Sequence, residues 1–277
     1  MRADSKAREL NEARDENVAS GRRDVMRWQR VALAVLAPAF ALLWTGGVAS
    51  QWSRASHPSD GLLASAFLFL AGLLVLLGAR TRRGAAALAF VALLGFIVEV
   101  VGANYDFPFG AYDYTDALRP SLFGVPFVMG FVWMALAAHG WEMATRLRLP
   151  PTLTVILAAI WTTAVDLVID PLAANRLGYW RWESAGAYYG IPASNFAGWF
   201  LTGLLAFILF GSRLESNFWA RAVGFAIILF FALSALANSL MTPALVGFAL
   251  CAAQLLVERN SKDVGLNVRG AVTSVFH

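Results

Sequence analysis

The chain has 277 residues, of which 58% are hydrophobic and only 14% are charged, and its apolar residues occur in long unbroken runs. This composition excludes an ordinary soluble domain. The formal charge of +4 does not indicate nucleic-acid binding, because the basic residues lie at the ends of the apolar runs and not on one soluble face.

Eight apolar runs predict an all-α, polytopic membrane bundle of about eight transmembrane helices. A run of about 20 apolar residues crosses the hydrocarbon core as a helix, since a helix satisfies its own backbone hydrogen bonds where lipid offers none. In chain order the runs are Trp28 to Ala49, Gly61 to Ala79, Gly84 to Ala103, Leu122 to Glu142, Thr152 to Leu172, Ile191 to Gly211, Trp219 to Ala237 and Leu240 to Val257. Only Asn238 and Ser239 separate the last two, so that boundary is the weakest.

The sequence therefore divides into a polar tail at 1–27, a transmembrane domain at 28–258 and a C-terminal tail at 259–277. Arginines precede the first run and follow the even-numbered runs, among them Arg27, Arg83, Arg146 and Arg213. By the positive-inside rule this pattern predicts a multi-pass protein of the cell membrane with both termini in the cytoplasm. The first 25 residues contain no apolar core, so no signal peptide is predicted.

Two loops on the predicted non-cytoplasmic side are rich in aromatic residues, glycine and proline. The first extends from Gly102 to Pro126 and the second from Asp170 to Asn195. A belt of Trp and Tyr at the headgroup level would account for scattered aromatic residues. It does not account for the close alternation with Gly and Pro, which favours ordered loops that cover a pocket.

The two loops share a short pattern at their ends. Gly124-Val-Pro126 is followed by Trp133, and Gly190-Ile-Pro192 is followed by Trp199 at the same spacing. Each pattern opens a helix that enters the membrane from the same side. Helices three and four are therefore predicted to form a hairpin related to that of helices five and six, although matches this short also arise by chance.

Three acidic residues lie inside apolar runs: Glu99 in the third, and Asp166 and Asp170 in the fifth. A charged group costs on the order of 2.5–3.5 kcal/mol at the centre of a membrane helix, so these residues require a partner or a function. Asp166 and Asp170 share one helical face with Thr162. Helices three and five are both predicted to run outward, which places all three carboxyl groups beneath the aromatic loops.

A carboxyl group in a low-dielectric site tends to keep its proton and can act as a general acid. The alternative is that these groups pair with Arg176 or Arg181, or bond to the loop backbone, and only lock the hairpins together. Asp170 is the most open to that alternative, because it precedes Pro171 and could cap a helix end.

Other polar residues are weaker candidates. Asn195 follows a proline at a predicted helix start, where capping is expected. His139 and Glu142 end the fourth run and are expected to lie at the membrane interface. The histidines His57, His139 and His277 occur in separate regions, so no metal site is predicted.

Several motifs between Glu99 and Trp199 resemble a known family. They are Pro108-Phe-Gly-Ala-Tyr-Asp-Tyr-Thr115, Gly124-Val-Pro126, Asp166 with Asp170-Pro171, Gly178-Tyr-Trp-Arg-Trp182 and Tyr188-Tyr-Gly-Ile-Pro-Ala-Ser-Asn-Phe-Ala-Gly-Trp199. The sequence is similar here to the carotenoid 1,2-hydratase family of the CruF type, membrane proteins of carotenoid biosynthesis. One departure is Leu118-Arg119-Pro120, where Leu-Gly-Pro is expected.

The resemblance implies addition of water across the terminal double bond of an acyclic carotenoid. Asp166 is expected to donate the proton, with Glu99 or Asp170 tuning it, and neither cofactor nor metal is expected. The substrate is expected to enter laterally from the membrane lipid, and association with other carotenoid enzymes is expected. The residues expected to bind the substrate are Tyr105, Asp106, Tyr112, Asp113, Trp180, Trp182, Glu183, Tyr188, Tyr189, Asn195 and Trp199.

Four alternatives remain open at this point. A carotenoid cyclase would begin with the same protonation but leave the substrate mass unchanged. A magnesium-dependent prenyltransferase would use Asp166-Leu-Val-Ile-Asp170, although the chain has no second Asp-rich motif. A proton-coupled transporter would use the acidic residues as a relay, and a non-catalytic assembly subunit would not need them.

Overall fold

The chain is an all-α polytopic bundle. The computed structural model describes the backbone of residues 2–54 and 60–274, and the side chains of residues 27–54 and 60–261. Within these ranges it has eight helices: α1 Arg2–Ser53, α2 Asp60–Leu77, α3 Arg82–Tyr105, α4 Met129–Arg146, α5 Pro151–Asn175, α6 Ala193–Phe210, α7 Phe218–Ala237 and α8 Met241–Ser274. The four short strands are β1 Tyr112–Tyr114, β2 Ser121–Leu122, β3 Val125–Pro126 and β4 Trp180–Trp182.

Seven helices of the described chain are long and apolar enough to cross a membrane, and α4 is the exception. α4 is the central helix, because it packs against α2, α3, α5 and α7 and its residues are mostly buried. Its neighbours are protein and not lipid, so it does not need a wholly apolar surface. His139 and Glu142, expected at the membrane interface, have side chains that are buried inside the bundle. Glu142 pairs there with Arg221 at 2.9 Å and with Arg146 at 3.3 Å.

Several predicted boundaries differ from the structure. The fourth helix begins at Met129 and not at Leu122, because the intervening residues form the β2–β3 hairpin. α1 already begins at Arg2, and α8 continues to Ser274, beyond the ends of their apolar runs. The apolar composition marks where a helix enters lipid, and a helix satisfies its own backbone in water as well.

The two related patterns have the same local structure. Leu122 pairs with Val125 and Tyr188 pairs with Ile191, each across a two-residue turn. The turn residues have matching positive φ angles, 54° and 80° for Phe123-Gly124 and 52° and 82° for Tyr189-Gly190. Turns with two positive φ angles join antiparallel residues tightly and favour Gly at the second position.

The tryptophans that follow these two turns meet in the bundle. The rings of Trp133 on α4 and Trp199 on α6 are stacked, with centroids 4.1 Å apart and planes 19° apart. The α3–α4 and α5–α6 hairpins therefore contact each other through equivalent residues.

An antiparallel ribbon of β1 and β4 closes one end of the bundle. Tyr112 pairs with Trp182, Asp113 with Arg181, and Tyr114 with Trp180. Side chains alternate between the two sides of a strand. The four aromatic residues therefore share the side that faces the helices, whereas Asp113 and Arg181 are exposed on the other. We call this end of the bundle the ribbon end.

Candidate active site

A small cavity lies beneath the ribbon, between α3, α4, α5 and α6. Its volume, counted as space for the centre of a water molecule, is about 20 Å³. One water needs roughly 10–15 Å³ by this measure, so the cavity has room for about one water. The lining residues are Glu99, Phe109, Tyr112, Tyr114, Met129, Asp166, Asp170, Trp180, Trp182, Asn195 and Trp199.

Glu99 is held on one wall by three donors. The hydroxyls of Tyr112 and Tyr114 each donate to its Oε2 at 2.7 Å. The indole N–H of Trp133 donates to its Oε1 at 2.9 Å. An ionised carboxylate is an acceptor only, so three converging donors are complementary to that form.

The two tyrosines remain donors because of their surroundings. Burial, followed by the negative charge of Glu99, raises the pKa of Tyr112 and of Tyr114 far above the ordinary tyrosine value. Their hydroxyls therefore stay protonated and keep Glu99 in one position.

Asp166 and Asp170 form the opposite wall and are bridged by Asn195. The Nδ2 atom of Asn195 lies 2.7 Å from Oδ2 of each aspartate. A side-chain amide has two N–H donors, which allows one amide to bond to both carboxyl groups. Asp170 also accepts a 2.7 Å hydrogen bond from the indole N–H of Trp180. The second oxygen of Asp166 accepts no hydrogen bond from the described residues, which leaves it available to a ligand.

The hypothesis that arginines lock these carboxyl groups is wrong. Among the described residues, no ion pair includes Glu99, Asp166 or Asp170. Asp170 does not cap a helix end either, because α5 continues through Pro171 to Asn175. The three groups are buried and bond instead to phenol, indole and amide donors around one cavity.

Asn195 is likewise not a helix cap. The cap position of α6 is Pro192, and no side chain makes a capping bond there. Asn195 is the third residue of the helix, and its side chain bonds to two residues of α5. The sequence contained a hint, because Asn195 shares a helical face with Trp199, another residue that lines the cavity.

Four residues expected to bind the substrate do not line this cavity. Tyr105 is 75% exposed, and Asp106, Asp113 and Glu183 are exposed as well. Asp106 ends α3 in the left-handed conformation, with φ 59°. Asp113 lies on the outer side of the ribbon because alternate residues of a strand face opposite ways.

Tyr188 and Tyr189 are also outside the cavity lining. The Tyr188 hydroxyl donates to the backbone oxygen of Leu167 at 2.9 Å. The Tyr189 hydroxyl accepts a long bond of 3.4 Å from the backbone N–H of Thr242. Both tyrosines therefore connect the second loop to neighbouring helices.

Four residues of the site were not predicted from the sequence: Phe109, Tyr114, Met129 and Trp133. Tyr114 follows Tyr112 at the spacing of two that places both on one face of a strand, so treating that segment as a strand would have identified it. Trp133 also had a signal, because it follows Gly124-Val-Pro126 at the spacing at which Trp199 follows Gly190-Ile-Pro192. Met129 has no comparable signal, because apolar residues are common on a membrane helix.

The described part of the chain contains no group of three or more His, Cys, Asp or Glu side chains placed to hold a metal ion. His139 is buried on α4, beside Trp161. His57 and His277 lie outside the described residues.

Comparisons with known proteins connect this site to a family. A family model described as "Carotenoid biosynthesis protein" matches residues 58–254. A curated relative from Haloarcula japonica, named bisanhydrobacterioruberin hydratase, is 34% identical over 134 residues. That match covers 47% of this chain and 45% of the relative, so it spans less than half of either protein. No solved structure matches the chain.

Proposed function

Because the chain belongs to the carotenoid biosynthesis protein family, we propose that it is a hydratase that adds water across the terminal 1,2 double bond of an acyclic carotenoid. The observation that carries this proposal is the convergence of three buried carboxyl groups on one aromatic-lined cavity with room for about one water. A relative named as a hydratase supports the same class of reaction.

Asp166 is the proposed proton donor. Hydrogen bonds from N–H and O–H groups favour a carboxylate over a carboxylic acid. Asp166 accepts one such bond, whereas Asp170 accepts two and Glu99 accepts three. The charged form of Asp166 is thus stabilised by the fewest hydrogen bonds. Asp166 also has one oxygen without a partner among the described residues. Asp170 and Asn195 orient it.

The first chemical step transfers the Asp166 proton to the less substituted alkene carbon. The π electrons form the new C–H bond, and the other carbon becomes a tertiary carbocation. The aromatic faces of Tyr112, Trp180 and Trp182 stabilise that cation, each by roughly 0.5–2 kcal/mol depending on desolvation. Glu99, fixed by its three donors, adds a stationary negative charge in the same cavity.

The second step restores the enzyme. The oxygen of the cavity water bonds to the cationic carbon, and the proton that this water loses returns to the Asp166 carboxylate. Overall, one alkene and one water become one tertiary alcohol, and the reaction involves no net oxidation or reduction. The proposed steps therefore call for no cofactor.

The direct test is expression in cells that accumulate lycopene, followed by mass analysis of the extracted pigments. Each hydrated end should add the mass of one water, and cells without the protein serve as control. A new pigment of unchanged mass would indicate cyclisation and overturn the proposal, as would unaltered lycopene from cells that contain the folded protein.

We also propose that the ribbon end faces away from the cytoplasm, because Arg82 and Arg146 lie at the opposite ends of α3 and α4, and Arg213 follows the opposite end of α6. With Cys251, the one cysteine of the chain, replaced by Ala, a cysteine at exposed Asp113 should react with a membrane-impermeant maleimide in intact cells. A cysteine at Arg148 should react only after lysis. The reverse pattern would contradict this orientation.

A further inference from the structure

The size of the cavity means that most of the proposed substrate must lie outside it. About 20 Å³ accommodates roughly one water, not a long hydrocarbon chain. One wall must therefore open, and the polyene must continue through that opening into the membrane.

Most of the polar walls are fixed by hydrogen bonds. Tyr112 and Tyr114 are bonded to Glu99. Trp180 and Asn195 are bonded to Asp170. Moving any of them would leave a buried polar group without its partner, which is unfavourable. The Phe109 ring also lines the cavity, has no polar atom and is held by packing alone.

Phe109 occupies a notch between two glycines on different helices. A methyl group at Gly102 on α3 would lie 2.7 Å from a ring carbon of Phe109, and one at Gly198 on α6 would lie 2.6 Å from another. Gly102 and Gly198 have no side chains, so the ring lies directly against both helices. Phe109 is only 2% exposed.

The seam between α3 and α6 borders the lipid. Leu93 and Ile97 on α3 and Leu201 and Leu205 on α6 are all exposed large apolar residues. The backbone beside the ring is anchored, because the Ser194 hydroxyl donates to the Phe109 carbonyl oxygen at 2.8 Å. Rotation of the Phe109 side chain can thus open the seam while the loop keeps its position.

From this geometry we infer that the polyene chain of the substrate lies in the α3–α6 seam and that Phe109 is the side chain that yields to admit it. This inference rests on the proposed function. The seam suits a long conjugated hydrocarbon, because glycine and apolar side chains border it and it contains no ionisable group apart from those inside the cavity.

The test blocks the seam from the lipid side, so that the packing of the core is left intact. In a Cys251→Ala background, Leu201→Cys places a thiol three residues from Gly198, on the exposed surface of α6. Leu245→Cys is the matched control on α8, since Leu201 is 52% exposed and Leu245 is 63% exposed. Each purified protein is reconstituted in lipid vesicles with lycopene and assayed for hydration before and after reaction with pyrene maleimide.

Labelling should lower the initial rate of Leu201→Cys by about tenfold or more, as expected when substrate positioning is blocked, and should leave Leu245→Cys and the Cys251→Ala parent with their unlabelled rates. Equal effects on the two cysteine variants, or no effect on either, would overturn the inference that the polyene lies in the α3–α6 seam. In that case the activity of the parent would still support the proposed function. An inactive, folded parent would instead overturn the proposed function, and the seam with it.

Discussion

The Tyr188 hydroxyl donates a 2.9 Å hydrogen bond to the backbone carbonyl of Leu167, in the middle of α5. That carbonyl lacks its usual helical partner, because the residue four positions later is Pro171, which has no N–H. The bond therefore replaces one missing backbone hydrogen bond of α5, at a position between the two aspartates of the cavity. It ties the loop before α6 to the segment that positions Asp166 and Asp170.

Replacing Tyr188 by Phe should destabilise the protein by about 1 kcal/mol, the usual net contribution of one hydrogen bond, because this bond is only partly buried. Burial raises the pKa of Tyr188 to about 12, so its hydroxyl is a donor throughout the neutral range. Thermal unfolding in detergent measures the loss. Tyr189→Phe is the control, because the 3.4 Å bond of that hydroxyl is weak. Equal melting temperatures for the two variants would contradict this account.

Asp166→Asn should lower the rate of hydration by roughly 10²–10⁴-fold, the usual contribution of a general acid. The amide retains the shape of the side chain but has no acidic proton to transfer. Rates in reconstituted vesicles measure the loss, with membrane insertion and thermal unfolding as checks of the fold. Asp113→Asn, on the exposed side of the ribbon, should keep its activity. Full activity of Asp166→Asn would refute its role as the acid.

Asn195→Leu should reduce hydration by on the order of tenfold or more, since both aspartates lose the donor that orients them. Leucine has a similar volume, so the effect should appear mainly in kcat and less in KM. Asn104→Leu is the comparison, because Asn104 bonds to the backbone of Val100 and Phe123 away from the cavity. A variant at 195 with unchanged kcat would show that the bridge has no part in catalysis.

The pair Tyr112 and Tyr114 should not limit activity in mildly alkaline solution. A tyrosine hydroxyl donates only below its pKa, and burial together with Glu99 moves both pKa values upward. The pH range in which Glu99 keeps its donors therefore extends upward beyond the ordinary pKa of 10.0. At a pH equal to this ordinary value, wild type and Tyr112→Phe should show the same tyrosinate absorbance, because Tyr112 is still protonated. A smaller tyrosinate signal in the variant would mean that Tyr112 ionises.

Treatment with EDTA followed by dialysis should leave the hydration rate unchanged, because the proposed steps use only an acid, aromatic faces and one water. Activity in reconstituted vesicles is the measurement, with and without added Mg²⁺. Activity that disappears with EDTA and returns with Mg²⁺ would contradict the proposed chemistry and favour the prenyltransferase alternative.

Much of the helix pattern was predictable, whereas much of the cavity was not. The apolar runs located the helices that contact lipid, because lipid selects strongly for apolar side chains. The same criterion misjudged the start of α4, because the apolar residues before Met129 form the β2–β3 hairpin, in which Val125 is buried but Leu122 and Phe123 are exposed. Loop residues were predicted by motif alone, so exposed Asp113 was grouped with buried Tyr112 although they lie on opposite sides of one strand.

The sequence by itself determined that the protein is a membrane bundle and that Glu99, Asp166 and Asp170 need partners inside it, because transfer into lipid penalises each charged residue individually. Only the tertiary structure decided which donors those carboxyl groups meet. The pairing of Tyr112 with Trp182, the bridge through Asn195 and the Phe109 notch each join segments that are distant in the chain. Such contacts depend on strand register and helix packing, which no single stretch of sequence specifies.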